Sequence, residues 1–283
     1  MKIAIASGKG GTGKTLVATN LAWMLLERPG KSPVYADADV EEPNGHLFLR
    51  PQLSAEDRFS VLVPESVEGR CTGCGACQEA CAFHAILALA DSVMVFPALC
   101  HSCGACLLAC PENALVERPR EMGVIKSGSA SSVVFRSGTL DVGEARATPL
   151  VEEVEVGTPA APVQIVDSPP GTSCAAMAAV RNVDHVVLVT EPTPFGLHDL
   201  VLAVEMSRAL GRTVSAVLNR ADLGDAEAVR SYLRKANVPL VAEIPFERAI
   251  AHAYAEGRLA VPESAALRVA IEALWAHVEE VCS

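Results

Sequence analysis

One glycine-rich segment, Gly8-Lys9-Gly10-Gly11-Thr12-Gly13-Lys14-Thr15, constrains the fold of this chain most strongly. It lies between a short apolar run and a helical pattern. A G-x4-G-K-[ST] pattern between a strand and a helix predicts a phosphate-binding loop, in which successive backbone N–H groups and the helix N-terminus hold an anion. All eight residues are therefore expected to contact a nucleotide, with Lys14 at the outer phosphates and the Thr15 hydroxyl on Mg²⁺.

Strand and helix patterns alternate on both sides of a central region. The first predicted elements are a strand over 2–6, a helix over 15–27 that ends at Pro29-Gly30, and a strand over 33–36. Later strands are predicted over 163–166, 183–190, 214–218 and 240–244, and later helices over 197–210, over 225–236, before Gly257 and from about Ser264. This alternation predicts an α/β fold with a doubly wound, mostly parallel sheet that helices cover on both faces.

Eight of the ten cysteines lie in two runs, Cys71-x2-Cys74-x2-Cys77-x3-Cys81 and Cys100-x2-Cys103-x2-Cys106-x3-Cys110. This repeated run is typical of bacterial ferredoxins with two [4Fe–4S] clusters, where the fourth cysteine of each run ligates the other cluster. The predicted ligands are Cys71, Cys74, Cys77 and Cys110 for cluster 1, and Cys81, Cys100, Cys103 and Cys106 for cluster 2. Zinc is a disfavoured alternative, because zinc sites usually combine C-x2-C pairs with longer spacers.

The cysteine runs interrupt the α/β alternation and so predict an inserted domain. We expect a small α+β ferredoxin-like domain over 61–118. The surrounding P-loop ATPase domain would then consist of 1–60 and 119–283. Small, polar and β-branched residues over 123–148 predict a hairpin after the insertion.

The charge balance disfavours several classes of partner. The chain has 23 Lys and Arg against 34 Asp and Glu, a formal net charge of −11, and no basic block. Nucleic acid and anionic membranes are therefore not expected as partners. No apolar run approaches the roughly 18 residues of a membrane helix, and the N-terminus lacks a signal-peptide pattern. We expect a cytoplasmic location.

The glycine-rich segment, with Lys9 as its second residue, resembles the deviant P-loop of the family that includes MinD, ParA, Mrp and the nitrogenase iron protein. In this family the additional lysine reaches the nucleotide of the partner subunit. The resemblance implies Mg-ATP hydrolysis by an ATP-dependent dimer, either a homodimer or a heterodimer with a paralogue. Lys9 would neutralise, across the interface, the charge that develops during phosphoryl transfer. Lys9 and Lys14 are thus expected catalytic residues.

Further residues match the family pattern where predicted strands end. The resemblance implies that Asp39 positions the attacking water and is the third catalytic residue. Asp37 and Asp167 would join Thr15 at the Mg²⁺ ion.

Three residues after the later strands complete the expected nucleotide site. By the same resemblance, the Gly171 amide would sense the γ-phosphate, and Asn219 with Arg220 would contact the adenine.

Cys174 is isolated in the sequence. It follows Ser168-Pro169-Pro170-Gly171-Thr172, which resembles the switch II segment of the family, and it stands at the offset where the nitrogenase iron protein has a cluster ligand. A second matching cysteine is missing, since none lies between Cys110 and Cys174. A buried structural cysteine is therefore slightly favoured, and an additional metal or cluster site is the alternative.

These features predict an ATPase that couples Mg-ATP hydrolysis to electron transfer through two [4Fe–4S] clusters to an unknown redox partner. An iron–sulfur cluster or metal carrier that serves a client protein is the first alternative. A spatial organiser like MinD or ParA is the second, and the tail over 265–283 disfavours it because it is neither basic nor rich in bulky apolar residues.

Overall fold

A nine-stranded sheet is the main element of this computed structural model, which describes residues 1–28 and 30–283. Pro29, predicted to end the first helix, lies outside the described residues. The strands are β1 (Lys2–Ala6), β2 (Pro33–Asp37), β3 (Gln52–Ser66), β4 (Ile86–Ala88), β5 (Val93–Val95), β6 (Leu115–Ala130), β7 (Val133–Leu140), β8 (Val163–Asp167), β9 (His185–Thr190), β10 (Thr213–Asn219) and β11 (Leu240–Ile244). The helices are α1 (Lys14–Leu25), α2 (Gly45–Leu49), α3 (Ala76–Glu79), α4 (Ala105–Ala109), α5 (Thr148–Val156), α6 (Cys174–Arg181), α7 (Pro194–Ala209), α8 (Ala226–Lys235), α9 (Arg248–Ala255) and α10 (Ala265–Val281).

The strand order in the sheet is β11-β10-β9-β1-β8-β2-β7-β6-β3. Every pair from β11 to β7 in this order is parallel. Parallel neighbours need crossover connections, and helices such as α1, between β1 and β2, supply them. The structure therefore confirms the predicted α/β fold with a mostly parallel central sheet.

The described residues divide into two units. The first unit consists of Met1–Asp57, Ile125–Thr139 and Arg146–Ser283, and the second consists of Arg58–Val124 and Leu140–Ala145. The second unit contains the segment 61–118, for which the sequence predicts an inserted domain, and extends beyond it at both ends.

The core of the first unit packs helices against the inner strands. Ile3 and Ile5 of β1 are completely buried, as are Leu21 of α1 and Trp275 of α10, and all four belong to one hydrophobic cluster. A strand with parallel neighbours on both sides and helices over its faces must be apolar throughout, which explains the sequence of β1. This core fixes the position at which β1 ends and the glycine-rich loop begins.

Several predicted helix starts are correct because a polar side chain caps the helix. The Asp225 carboxylate accepts a hydrogen bond from the Ala228 N–H at 3.0 Å at the start of α8. The Ser264 hydroxyl accepts one from the Leu267 N–H at 3.0 Å at the start of α10. Such caps satisfy N–H groups that the first helical turn leaves unpaired.

Other elements of the chain were less visible in the sequence. The hairpin predicted over 123–148 is present as β6 and β7, and Ser131 at its turn has a left-handed φ of 53°. Strand β3 and helix α5 were not predicted. The first half of β3 is exposed and polar, so it lacks the buried alternation by which strands are identified.

The second unit is built around its cysteines. Strands β4 and β5 form an antiparallel pair in which Leu87 lies opposite Met94. Cys77 and Cys106 are buried with Ile86 and Leu115 in one small hydrophobic cluster. Cys100 is buried in a second cluster. These cores contain thiols where an ordinary domain of this size would contain larger apolar side chains.

A buried ion pair in the first unit makes stability depend on pH. Glu155 of α5 pairs with Lys2 of β1, with 2.6 Å between Oε2 and Nζ, and its side chain is 4% exposed. Burial raises the pKa of Glu155 to about 7, although the Lys2 cation opposes the shift. The folded chain therefore holds this proton more tightly than the unfolded chain does.

We expect Glu155→Gln to remove a loss of stability that the natural chain suffers as pH rises. Glu155 deprotonates first in the unfolded chain, so the free energy of unfolding falls between the unfolded pKa and the folded pKa of about 7. The loss amounts to about 3 kcal/mol in total. Urea unfolding at about pH 5 and about pH 8 measures it. Glu280→Gln, which changes an exposed residue that does not act on Glu155, is the control. Equal pH slopes for the natural chain and Glu155→Gln would contradict this assignment.

Candidate functional site

The glycine-rich loop leaves the carboxyl end of β1, between β8 and β9, and leads into α1. Gly13 precedes the helix with a left-handed φ of 99°. A Cβ at Gly13 would lie 2.4 Å from Nδ2 of Asn219, so the position requires glycine. The same Asn219 amide donates a hydrogen bond to the Thr12 carbonyl at 2.8 Å. Asn219 therefore holds the loop in shape from the end of β10.

A pocket of about 360 Å³ opens beside the loop. Its size suits a small-molecule ligand, since such pockets span roughly 300–1,000 Å³. The predicted site residues that line it are Gly10, Gly11, Gly13, Lys14, Thr15, Asp39, Asn219 and Arg220. The pocket thus brings together most of the residues that the sequence assigned to nucleotide binding, at the N-terminus of α1 where an anion is favoured.

The opposite wall of this pocket was not predicted. It is formed by Pro245 and Phe246 after β11 and by Ile250, Ala251 and Tyr254 of α9. These apolar side chains suit one face of a planar base. No sequence motif marks these residues, because their common feature is their position after the last parallel strand.

Two buried carboxylates meet where β2 and β8 end. Asp37 and Asp167 are register partners in this parallel pair. Burial raises the pKa of Asp37 well above its usual range, and the Asp167 charge raises it further. Burial also raises the pKa of Asp167, against the Lys14 cation. Oδ1 of each carboxylate is buried, and it has no hydrogen-bond partner in the part of the chain that the structure describes. Paired acidic groups with free oxygens provide the ligands that Mg²⁺ prefers.

Lys14 and Asp39 face each other in the pocket. Nζ of Lys14 lies 3.9 Å from Oδ2 of Asp39, and the side chains are 6% and 14% exposed. Burial raises the pKa of Asp39 to about 6, while Lys14 opposes the shift. Two of the three expected catalytic residues therefore share one site.

Lys9, the third expected catalytic residue, points elsewhere. Its Nζ contacts Oε1 of Glu191, directly after β9 in the same chain. Arg220 binds the other oxygen of Glu191 at 3.0 Å. Sequence reasoning missed Glu191, which belongs to no recognised motif. Gly8, Lys9, Thr12 and Gly171 lie outside the pocket lining.

The Gly171 amide is also engaged within the chain. Its N–H donates to the Ser7 carbonyl at 2.8 Å. This bond ties the segment after β8 to the residue that precedes the glycine-rich loop. A γ-phosphate contact by Gly171 would therefore require this bond to open.

The eight clustered cysteines surround two cavities in the second unit. Cavity 1 is lined by Cys71, Cys74, Cys77 and Cys110. Cavity 2 is lined by Cys81, Cys100, Cys103 and Cys106. In both cases three cysteines come from one run and the fourth comes from the other run. Within residues 1–28 and 30–283, no group of three or more His, Cys, Asp or Glu side chains is arranged to hold a metal ion.

Backbone N–H groups approach several of these sulfurs. The Ala85 N–H lies 3.2 Å from Cys81 Sγ, and the Ala114 N–H lies 3.3 Å from Cys110 Sγ. Burial raises the pKa of Cys106 to about 11. A thiol in such a position needs a bound cation to become a thiolate, whereas N–H donors stabilise the thiolate once it forms.

The two cavities differ in one corresponding position. Gly73 in cavity 1 and Ser102 in cavity 2 occupy the same place in the repeat, and both have left-handed φ angles, 69° and 54°. A Cβ at Gly73 would lie 2.3 Å from the Ala90 carbonyl oxygen. The Ser102 hydroxyl is buried without a partner. The ring of His101 stacks on Phe83 beside cavity 2, with centroids 3.6 Å apart.

Cys174 is the first residue of α6 and is exposed. Ser173 caps this helix by accepting a hydrogen bond from the Ala176 N–H at 3.3 Å. The expectation of a buried structural cysteine is therefore wrong about burial. The reason is that α6 begins at the carboxyl edge of the sheet and turns its apolar side, with Ala178 and Val180, toward the core.

A family model matches residues 3–261, and it describes the CobQ/CobB/MinD/ParA nucleotide binding domain. The chain belongs to this family. A P-loop NTPase fold, ATP binding with Mg²⁺ and ATPase activity follow from that membership together with the pocket. In the described part of the chain, no helix combines the length and apolar character that a bilayer crossing requires.

Individual proteins and one solved structure are similar to this chain. An uncharacterized protein of Methanocaldococcus jannaschii, MJ0578, is 34% identical over 209 residues, which cover 72% of each chain. The septum site-determining protein MinD from Pyrococcus horikoshii, complexed with Mg-ADP, matches 100% of this chain and 97% of its own, with a TM-score of 0.61 and 22% identity. An iron-sulfur cluster carrier protein of Rickettsia bellii is 32% identical over 92 residues, which cover 31% of this chain and 29% of that protein.

Proposed function

We propose that this chain is a MinD-type ATPase that hydrolyses Mg-ATP at a dimer interface and couples hydrolysis to electron transfer through two [4Fe–4S] clusters. An acceptor outside the chain would receive the electrons. The observation that carries the proposal is the division of eight cysteines between two cavities, in the same sets that the ferredoxin repeat predicts. One chain then combines a nucleotide pocket with two cluster sites.

The residues around the cavities fit iron–sulfur clusters. A [4Fe–4S] cluster is ligated by four cysteine thiolates, and each cavity has four. When bound, such clusters accept and donate single electrons, with potentials that hydrogen bonds to sulfur adjust.

The pocket fits Mg-ATP in a comparable way. The free Oδ1 atoms of Asp37 and Asp167 would hold Mg²⁺ together with the Thr15 hydroxyl. Lys14 and the N–H groups of Gly10, Gly11 and Gly13 would bind the phosphates. Asp39, opposite Lys14, would orient the attacking water.

Lys9 would change partners when two chains meet. Within one chain it neutralises Glu191 and does not line the nucleotide pocket. In the proposed dimer, with a second copy or a paralogue, Lys9 leaves Glu191 and stabilises the charge on the partner's nucleotide. Dimer closure around ATP would then alter how the clusters meet their acceptor.

We expect Lys14→Ala to abolish ATP binding, because it removes the cation that faces the phosphates. Lys9→Ala should still bind ATP but remain monomeric and lose about 10³-fold or more in hydrolysis rate, as expected for a cation that acts across an interface. Asp39→Ala should bind ATP and dimerise without turnover. The measurements are ATP affinity, ATPase rate and mass by light scattering.

Lys126→Ala, which removes a cation outside the pocket, is the matched control for these variants. Normal ATP hydrolysis by a monomeric Lys9→Ala protein would rule out the dimer mechanism.

The anaerobically prepared chain should contain about eight iron atoms, the content of two [4Fe–4S] clusters. Cys106→Ser should lower this content by about half and leave the iron of the other cavity in place. Cys282→Ser, outside both cavities, is the control and should retain all iron. Zinc in place of iron, without absorption near ~400 nm, would end the ferredoxin interpretation.

A second candidate function is an iron–sulfur cluster or metal carrier. Two observations favour it: the similarity of part of the chain to an iron-sulfur cluster carrier protein, and the exposure of Cys174. In this function, the Cys174 thiolates of two chains would hold a metal or labile cluster, which is released when hydrolysis opens the dimer.

The carrier function predicts additional metal in a dimer trapped with a non-hydrolysable ATP analogue. Cys174→Ser should lose that metal and keep the iron of the two cavities, because its sulfur would be a ligand only in the closed dimer. Metal stoichiometry with and without the analogue measures this. Identical stoichiometry in both states, unchanged by Cys174→Ser, would eliminate the carrier function in this form.

A further inference from the structure

Tyr35 of β2 contacts Asp167, one of the two buried carboxylates where β2 and β8 end. Its hydroxyl donates a hydrogen bond to Oδ2 of Asp167 at 2.8 Å. Both side chains are completely buried. Tyr35 precedes Asp37 by two residues on β2, so the two side chains leave the same face of the sheet. The tyrosine does not line the nucleotide pocket.

The ring of Tyr35 is fixed by close packing. A Cβ on Gly45 would lie 2.4 Å from the Tyr35 hydroxyl oxygen, so α2 approaches the ring as closely as glycine permits. On another side, the Phe135 ring stacks on Tyr35 with centroids 5.9 Å apart and an angle of 13° between the planes. A hydroxyl held in this way specifies the orientation of the carboxylate that it binds.

Asp37 and Asp167 are anchored in the same manner. The Gly45 N–H donates to Oδ2 of Asp37 at 2.8 Å, just as Tyr35 donates to Oδ2 of Asp167. In both carboxylates Oδ1 is left buried and unpartnered. Buried carboxylate oxygens without partners are costly unless a cation is present. Each anchor thus leaves one oxygen of its carboxylate for a cation.

We propose that Tyr35 is a positioning residue for the magnesium of the nucleotide site, acting through Asp167. This inference rests on the proposed role of Asp37 and Asp167 as Mg²⁺ ligands. Without the hydroxyl, the buried Asp167 carboxylate loses the donor that holds Oδ2 and is free to turn. Oδ1 is then no longer presented in one orientation, and metal binding weakens. The contacts between the nucleotide and the phosphate loop should be unaffected, because Tyr35 does not line the nucleotide pocket.

The test compares ADP affinity with excess Mg²⁺ and with EDTA, measured by calorimetry on the full chain. Tyr35→Phe keeps the ring and removes only the hydroxyl. We expect it to reduce the Mg²⁺-dependent gain in affinity by about tenfold, the effect of losing a hydrogen bond to a charged group. Its affinity in EDTA should equal that of the natural chain. Tyr232→Phe removes a hydroxyl from α8, outside the pocket lining, and should change neither value.

The outcomes separate this inference from the proposed function. If Tyr35→Phe loses ADP affinity by the same factor in Mg²⁺ and in EDTA, Tyr35 supports the fold alone. If the gain in ADP affinity from Mg²⁺ is unchanged in Tyr35→Phe, the hydroxyl has no role at the metal. Either outcome overturns the inference. Failure of the natural chain to bind ADP would overturn the proposed ATPase itself. ADP binding by the natural chain without any gain from Mg²⁺ would refute the role of Asp37 and Asp167, and the inference with it.

Discussion

The register between the central parallel strands determines where every group of the nucleotide site lies. Strand β8 pairs with both β1 and β2. Asp167, at the end of β8, therefore lies beside Asp37 and close to the start of the glycine-rich loop. A shift by one residue would turn each of these side chains to the other face of the sheet. The apolar packing of α1 and α10 on the sheet maintains this register. The packing of the core therefore also determines the geometry of the site, and it places the two aspartates where they are shielded from water.

The same desolvation explains why a cation fits the site. In water, two neighbouring carboxylates would repel one another only weakly. Here burial raises the pKa of both carboxylates, and neither Oδ1 atom has a hydrogen-bond partner among the described residues. A divalent cation would relieve repulsion and desolvation together, so nucleotide and metal are expected to bind as a unit. Lys14 opposes the pKa shifts of Asp39 and Asp167, but burial outweighs its effect.

Much of the fold was predictable because the local sequence patterns agree with the packing of the whole chain. The strand–loop–helix motif predicted β1 and α1. The helices predicted from Asp225 and from about Ser264 begin where these two side chains cap them. Strand β3 and helix α5 were missed because they are stabilised by pairing and packing with residues far away in the chain. Such contacts leave no pattern in the local sequence.

The candidate site was predictable to the extent that it lies in motifs. The cysteine repeat predicted which four sulfurs line each cavity, and the glycine-rich loop predicted five of the residues that line the nucleotide pocket. The apolar wall with Phe246 and Tyr254, and the contact of Glu191 with Lys9, depend on residues far apart in the chain. Their roles appear only when the strands that carry them are placed side by side.

Glu191 has two cationic partners, and this has a consequence for any rearrangement at the loop. A carboxylate with a single cationic partner is left with an uncompensated charge when that partner leaves. Within one chain, Arg220 binds one oxygen of Glu191 while Lys9 contacts the other. If Lys9 turned to a partner's nucleotide, as proposed, Glu191 would still have Arg220 beside it. The arginine would then act as a placeholder, and the loop lysine would pass between two anions without leaving the first one unpaired.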